Sequence, residues 1–521
     1  MRRLLPWLIP LLFLGTGVGL LSLLSAFLAD PSRHFEIGDT GSIQFVLNTN
    51  AAALTSAMSV LIALVLLSVQ LTAQRYSFNV IDVFIRSWVN AALIGLFILT
   101  INFNLWLGLV LKSDYIPVGG TYLALVMTTA CFAFLPPYVS YLFDILRPDS
   151  ILAHLQRRFL KAVNPALTAG HLVRRRGAAA MRLNQIGDVA RQAVQLSDGD
   201  VARQSVWVLY GSIAHYLEGK ARLPNEWFDV EEEHFRGRHA RDIQEIEETM
   251  TWPERVMLDQ LREVFHATLL KMHDVNNTVA LVTRLLGEQA IGRDDHGLLR
   301  MVLKFFNTYL RAAINQGDVR AGYHVLYQYR QLADRAVETH PQVTLEISRR
   351  LSYYGDAAAS GPLLWMSAAA AYDLRVLVQH CHQRDIDRSI IASIVGELIE
   401  TVRRADAKHS PALPQLHKTL AALGSFFLVH SERAFVRQLR AELDDVPPDG
   451  LERIGRELSA VDDPAFWELT DRMVNFDYVE EDVRAALPLF IARVEAWSAT
   501  PPPEPAPALA AHAPGHREGR S

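Results

Sequence analysis

Four long apolar runs decide what this chain can become. Residues 4–29, 51–73, 88–111 and 121–145 each exceed the roughly 20 largely apolar residues that a helix needs to cross a hydrocarbon core. The first three contain no charged residue, and the fourth meets only Asp144 at its end. Lipid offers no partner for backbone N–H and C=O groups, so runs like these are expected to cross as α-helices. Residues 1–146 are therefore expected to form a four-helix transmembrane bundle. The composition agrees: 50% of the 521 residues are hydrophobic and 21% are charged, against about 25% charged in ordinary soluble domains.

Arg2 and Arg3 precede the first run as they would in a secretion signal. The run is too long for a signal core, and bulky Phe27 stands where a small residue should precede cleavage, so an uncleaved first span is expected. Lys and Arg sit on alternate sides of the spans. Arg2, Arg3, Arg75, Arg86, Arg147 and the bases after it fall on one side, and only Arg33 and Lys112 on the other. The bias predicts that both termini, and everything after residue 146, lie in the cytoplasm.

The spans carry a polar stripe of Ser56 and Gln70 in the second, Asn90 and Asn104 in the third, each pair on one helix face. Small and amide side chains of this kind join helices. They can also line a pore, but no carboxylate or base lies deep in a span, which favours the joining role. Pro136-Pro137 predicts a kink in the fourth run.

The residues Thr55-Ser56, Val69-Gln70-Leu71-Thr72-Ala73-Gln74-Arg75-Tyr76-Ser77, Phe84 and Leu93-Ile94-Gly95-Leu96-Phe97 resemble a bacterial family of predicted membrane proteins with a domain of unknown function. That family has a glutamine-rich second-helix exit ending in Tyr-Ser, then another span. A proline usually follows the serine there, whereas this chain has Phe78. The resemblance covers the first third of the chain and implies a bacterial inner-membrane location without an activity.

Residues 147–182 read as a basic juxtamembrane linker. Arg157, Arg158, Lys161, Arg174, Arg175 and Arg176 are expected to meet anionic lipid headgroups, and 151–163 has the amphipathic spacing of an interfacial helix. With 51 basic and 56 acidic residues the net charge is −5, so no global field points to nucleic acid.

From 183 to 498 apolar residues recur every three or four positions, so the expected fold class is all-α: the membrane bundle followed by a cytosolic, solenoid-like helical repeat domain. Gly199-Asp200-Val201 and Gly317-Asp318-Val319 look like equivalent turns opening two repeats. Arg320, Tyr323, Tyr327 and Arg330 lie where aromatic and arginine residues are densest, a composition favoured at protein interfaces. They form the expected partner-binding groove, with core packing the equally weighted alternative.

No phosphate loop, dinucleotide fingerprint or zinc-protease motif is present. Two cysteines exclude a disulfide scaffold and any multi-cysteine metal site. His380 and His382 are two apart and point some 200° from each other on a helix, so they cannot share an ion. Glu231-Glu232-Glu233-His234 and Asp294-Asp295-His296 read as solvated loops or helix caps. Residues 499–521, rich in Pro and Ala, are expected to be disordered. No catalytic residue, cofactor or metal is expected. The composite expectation is a membrane-anchored scaffold whose helical domain binds a partner protein, with membrane lipids as further partners and homo-oligomers possible. The alternative is an oligomeric channel or transporter with the helical domain as regulator.

Overall fold

A computed structural model describes residues 40–76, 88–112, 118–164, 172–230, 239–359, 363–465 and 472–498. These residues form 18 α-helices and no β-strand. The first expected span, the Glu231-Glu232-Glu233-His234 cluster and the Pro/Ala-rich tail lie outside the described residues. Two units, Met1–Thr268 and Leu269–Ser521, divide the chain; the division falls inside the stretch 183–498 that the helical periodicity groups together.

In the first unit, α1 (Thr40–Tyr76), α2 (Trp88–Val110) and α3 (Val118–Leu146) are long and apolar enough to cross a membrane. Their core residues fix an up–down–up arrangement. Ile43 and Leu47 from the start of α1 pack with Leu107 from the end of α2 and Ala124 from the start of α3. Leu61, Leu93 and Leu142 meet towards the opposite ends. The first of these helices begins at Thr40 rather than at the apolar boundary near 51, because Ile43 and Leu47 continue the buried face of Ala51 and Leu54. Phe45 is 71% exposed, Trp106 69% and Leu109 80%. Side chains this apolar on an outer face suit lipid, not water. Helix α3 runs through Pro136 and Pro137, and Ser140 Oγ donates to the Pro136 carbonyl.

Only Arg147 separates α3 from α4 (Pro148–Ala162). Proline at the first turn suits a helix start, where its missing N–H is no loss. Ile151, Leu152, Leu155, Phe159 and Ala162 form the buried face of α4, which packs on α5 (Leu172–Gln195) and α6 (Gly199–Gly219). Short α7 (Ala240–Glu248) leads to α8 (Trp252–Thr268), which lies along α5. Most of residues 147–182 is thus helix, and α5 also packs against the spanning helix α1.

The second unit contains α9 (His273–Gly292), α10 (His296–Gln316), α11 (Val319–Ala336), α12 (Pro341–Ala357), α13 (Leu364–Gln383), α14 (Arg388–Ala407), α15 (Leu413–Val429), α16 (Arg433–Ala441), α17 (Pro448–Ser459) and α18 (Glu481–Ser498). From α9 to α16 neighbours in sequence pack together, and so do α9 with α11, α11 with α13, α13 with α15 and α12 with α14, while α17 and α18 pack on each other and on α15. From α9 to α15 consecutive helices therefore alternate between two layers.

One turn recurs in both units. A residue in the left-handed region ends a helix, and the aspartate after it caps the next: Ser197 (φ 58°) with Asp198, Asp294 (φ 55°) with Asp295, and Gly317 (φ 70°) with Asp318. Each aspartate carboxylate accepts from the backbone N–H three residues on, satisfying a donor that the helix start leaves open. This corrects the equivalence expected from sequence. Gly317-Asp318 matches Ser197-Asp198, and Gly199-Asp200 already lie inside α6.

Candidate anion-binding site

On α4, His154, Arg157, Arg158 and Lys161 occupy one face, beside the buried Ile151, Leu155 and Phe159. On α5, Arg174, Ala178 and Arg182 share a face, with Arg175 beside them. Packing α4 against α5 brings both faces to one cleft of about 650 Å³, lined by these eight residues and Ala162. Six of the nine lining residues are arginine or lysine, and no carboxylate is among them. Lys161 is 15 residues beyond the end of α3 at Leu146; with Arg147 extended and the rest helical, it lies no further than about 25 Å from that end.

Several donors are already oriented. Arg157 Nε donates to the Ala153 carbonyl at 3.1 Å, and Arg175 Nη2 to the Lys161 carbonyl at 3.2 Å, tying α5 to the end of α4. Arg182 Nη1 donates to Gln185 Oε1 at 2.5 Å. Arg175 Nη1 and His154 Nε2 are buried without a hydrogen-bond partner among the described residues. Burial, then the charges of Arg158, Arg157 and Arg182, push the His154 pKa down to about 4. Burial lowers the Arg175 pKa too. A cleft that depresses its own bases and leaves buried donors open is suited to an oxyanion, which relieves the repulsion and accepts those hydrogen bonds.

Five of the six residues assigned from sequence to headgroups line this cleft. Arg176 does not. Its Nη1 donates to the carbonyls of Glu226 at 2.7 Å and Asp229 at 2.9 Å, anchoring the segment before α7. Arg182 and His154 were missed, although their helical spacing from Arg174, Arg175, Arg158 and Lys161 was a usable signal.

The polar stripe divides. Asn90 Oδ1 accepts from Tyr138 Oη at 3.1 Å, and Asn104 Nδ2 donates to the Thr100 carbonyl at 2.8 Å with Thr128 Oγ1 at 3.4 Å. Ser56 and Gln70 are exposed on the outer face, with Ser56 Oγ bonded to the Ala52 carbonyl. Cys131 is a buried small residue whose thiol meets Thr100 Oγ1 at 3.4 Å.

Arg320 is half-buried on α11, Tyr327 is half-buried, and Tyr323 and Arg330 are buried. This chain's own segment 472–478 is seated there. The Arg472 guanidinium lies 4.1 Å from the Tyr323 ring centroid and 4.7 Å from that of Tyr327, while Phe476 stacks on Trp365 and Tyr372. Arg330 Nε and Arg472 Nη1 both donate to Asp373 Oδ1, at 3.0 and 2.7 Å. His380 Nδ1 bonds Asp334, whereas His382 packs on Phe426 and His430, so these two imidazoles do point apart.

Folding assembles one more cluster. Asp295 is a cap, as its sequence suggested, but Asp294 and His296 meet His340, from the turn before α12. The ligand atoms of these three lie within 4.8 Å of one another. The separation of 46 residues between Asp294 and His340 hides the cluster from any local motif.

No curated protein and no solved structure matches the chain. Over residues 5–203, which include both the three described spans and the basic cleft, it matches the family model described as Predicted membrane protein (DUF2254), bearing out the resemblance read from the second-span exit.

Proposed function

We propose that this is a non-catalytic, multi-pass membrane scaffold whose first helical layer docks on anionic phospholipid through the cleft of α4 and α5. The second unit then presents a solenoid-like helical surface to a partner protein. The cleft carries this proposal: six cations and no carboxylate, within about two dozen ångströms of the end of a span. Basic pockets in that position suit phosphate-bearing headgroups. The four apolar runs support four spans, the resemblance a bacterial inner membrane, and the Lys/Arg bias both termini in the cytoplasm. That orientation sets the cleft beside the leaflet where anionic lipid gives a negative surface potential. A pore draws little support from the polar stripe, since Asn90 and Asn104 bond within the helices of the bundle.

Full-length protein in nanodiscs tests the proposal by thermal unfolding. Adding phosphatidylglycerol to phosphatidylcholine should stabilise the wild type, by about 2.7 kcal/mol if the lipid reaches 100 times its dissociation constant. Combining Lys161→Ala, Arg174→Ala and Arg175→Ala should remove that gain, and Arg203→Gln on α6 should keep it. An equal gain in the triple variant would overturn the proposal.

A further inference from the structure

We infer that Asp294, His296 and His340 form a binding site for a borderline divalent transition-metal ion of the Zn2+ class. His340 Nε2 lies 3.1 Å and His296 Nε2 3.5 Å from the same Asp294 Oδ1. Tetrahedral Zn2+ with bonds of about 2.0–2.1 Å holds its ligand atoms about 3.3 Å apart. Two of the three edges therefore already have the separation that the ion requires. The third, within the 4.8 Å limit, closes by a small rotation of the exposed His296 ring. Two imidazoles and one carboxylate are the donor set that this class of ion prefers over Mg2+ or Ca2+.

The surroundings fix the ligands as a metal site would. His340 Nδ1 lies 2.9 Å from Thr339 Oγ1. A proton on Nδ1 donated to that hydroxyl leaves Nε2 as the free lone pair facing the cluster. The His340 side chain is only 10% exposed, so its ring is held by packing. Asp294 takes its left-handed backbone in a turn locked by the Asp295 N–H to Ala290 carbonyl bond of 2.9 Å. The Asp294 and His296 side chains are 76% and 66% exposed, which leaves the remaining coordination position open to water. The ion would join the α9–α10 turn to the α11–α12 turn. This site is independent of the basic cleft and of lipid docking.

The test is a Zn2+ titration of EDTA-stripped, tag-free, full-length protein in nanodiscs, read by competition with a chromophoric chelator. The wild type should bind one more equivalent than His340→Ala, and the exposed-site variants Asp294→Asn and His296→Gln should lose the same equivalent without unfolding. Thr339→Val, which removes the hydrogen bond to His340 Nδ1 but no ligand atom, should weaken that equivalent about 10- to 100-fold. Co2+ in place of Zn2+ should give the visible absorption of tetrahedral Co2+ in the wild type and not in His340→Ala. Identical stoichiometry and affinity in the wild type, Asp294→Asn and His296→Gln would overturn the inference.

Discussion

Replacing Asp373 with alanine should be among the most damaging single changes in the second unit. Its carboxylate is fully buried and accepts from Arg330 Nε at 3.0 Å and Arg472 Nη1 at 2.7 Å. The two arginine side chains are only 6% and 2% exposed. Burial alone would draw the Arg330 pKa down, but Asp373 and then Asp334 outweigh it and raise it. Without Asp373, two buried guanidinium groups share the neighbourhood of one remaining carboxylate, Asp334, which still pairs with Arg330. Removing one partner from such a buried arrangement costs about 3–5 kcal/mol, and for a unit of this size each kcal/mol shifts Tm by about 2–4 °C. A fall of about 6–20 °C follows, measured by differential scanning fluorimetry of the full chain. Hydrogen exchange should also rise at 475–478. Arg472 is tied to Asp373 and, at 2.6 Å, to the Tyr323 carbonyl, so losing the carboxylate loosens that strand of contacts. A Tm loss under about 2 °C with unchanged exchange would refute the idea that this buried charge cluster holds the segment in place.

Other perturbations have equally defined outcomes. His154 is held neutral down to a pKa of about 4 against an ordinary 6.5. The unfolded chain therefore binds the extra proton between those values, and stability should fall as pH drops from 6.5 to 4 and level off below. His154→Gln should flatten that slope in pH-dependent unfolding. Gly424→Ala should destabilise by about 1–3 kcal/mol, because the added Cβ would run into the Phe490 ring where α15 packs on α18; exchange of α18 amides reads it. Tyr138→Phe removes the bond to Asn90 and should cost only about 0.6 kcal/mol in a lipid unfolding assay.

Much of the helical character was legible because spans announce themselves by length, and amphipathic helices by spacing. The face of His154, Arg157, Arg158 and Lys161 could be read from α4 alone, but not its meeting with Arg174, Arg175 and Arg182, which depends on how α4 and α5 pack. Arg176 shows the limit of reading a run of bases as one patch. Adjacent residues on a helix point about 100° apart, and one of three consecutive arginines turned inward to backbone carbonyls. Tyr323 and Arg330 met the same limit. Composition marks a residue as able to form an interface, yet Arg472, 149 positions from Tyr323, decides what covers it. Asp294 and His296 share one turn that the sequence shows, but His340 comes from another turn 46 residues on, so no local pattern could join it to them. The left-handed turn was misaligned by two residues because Ser197 occupies a position where glycine was the expected marker.

Lipid retention by the cleft is the most direct test of the account. Native mass spectrometry of the full-length protein released from mixed nanodiscs counts bound phosphatidylglycerol against phosphatidylcholine. The wild type should retain phosphatidylglycerol selectively, and the combined Lys161→Ala, Arg174→Ala, Arg175→Ala variant should lose that selectivity while its spans stay inserted. Equal retention of both lipids by the wild type, or unaltered selectivity in the variant, would contradict the assignment of the cleft to an anionic headgroup.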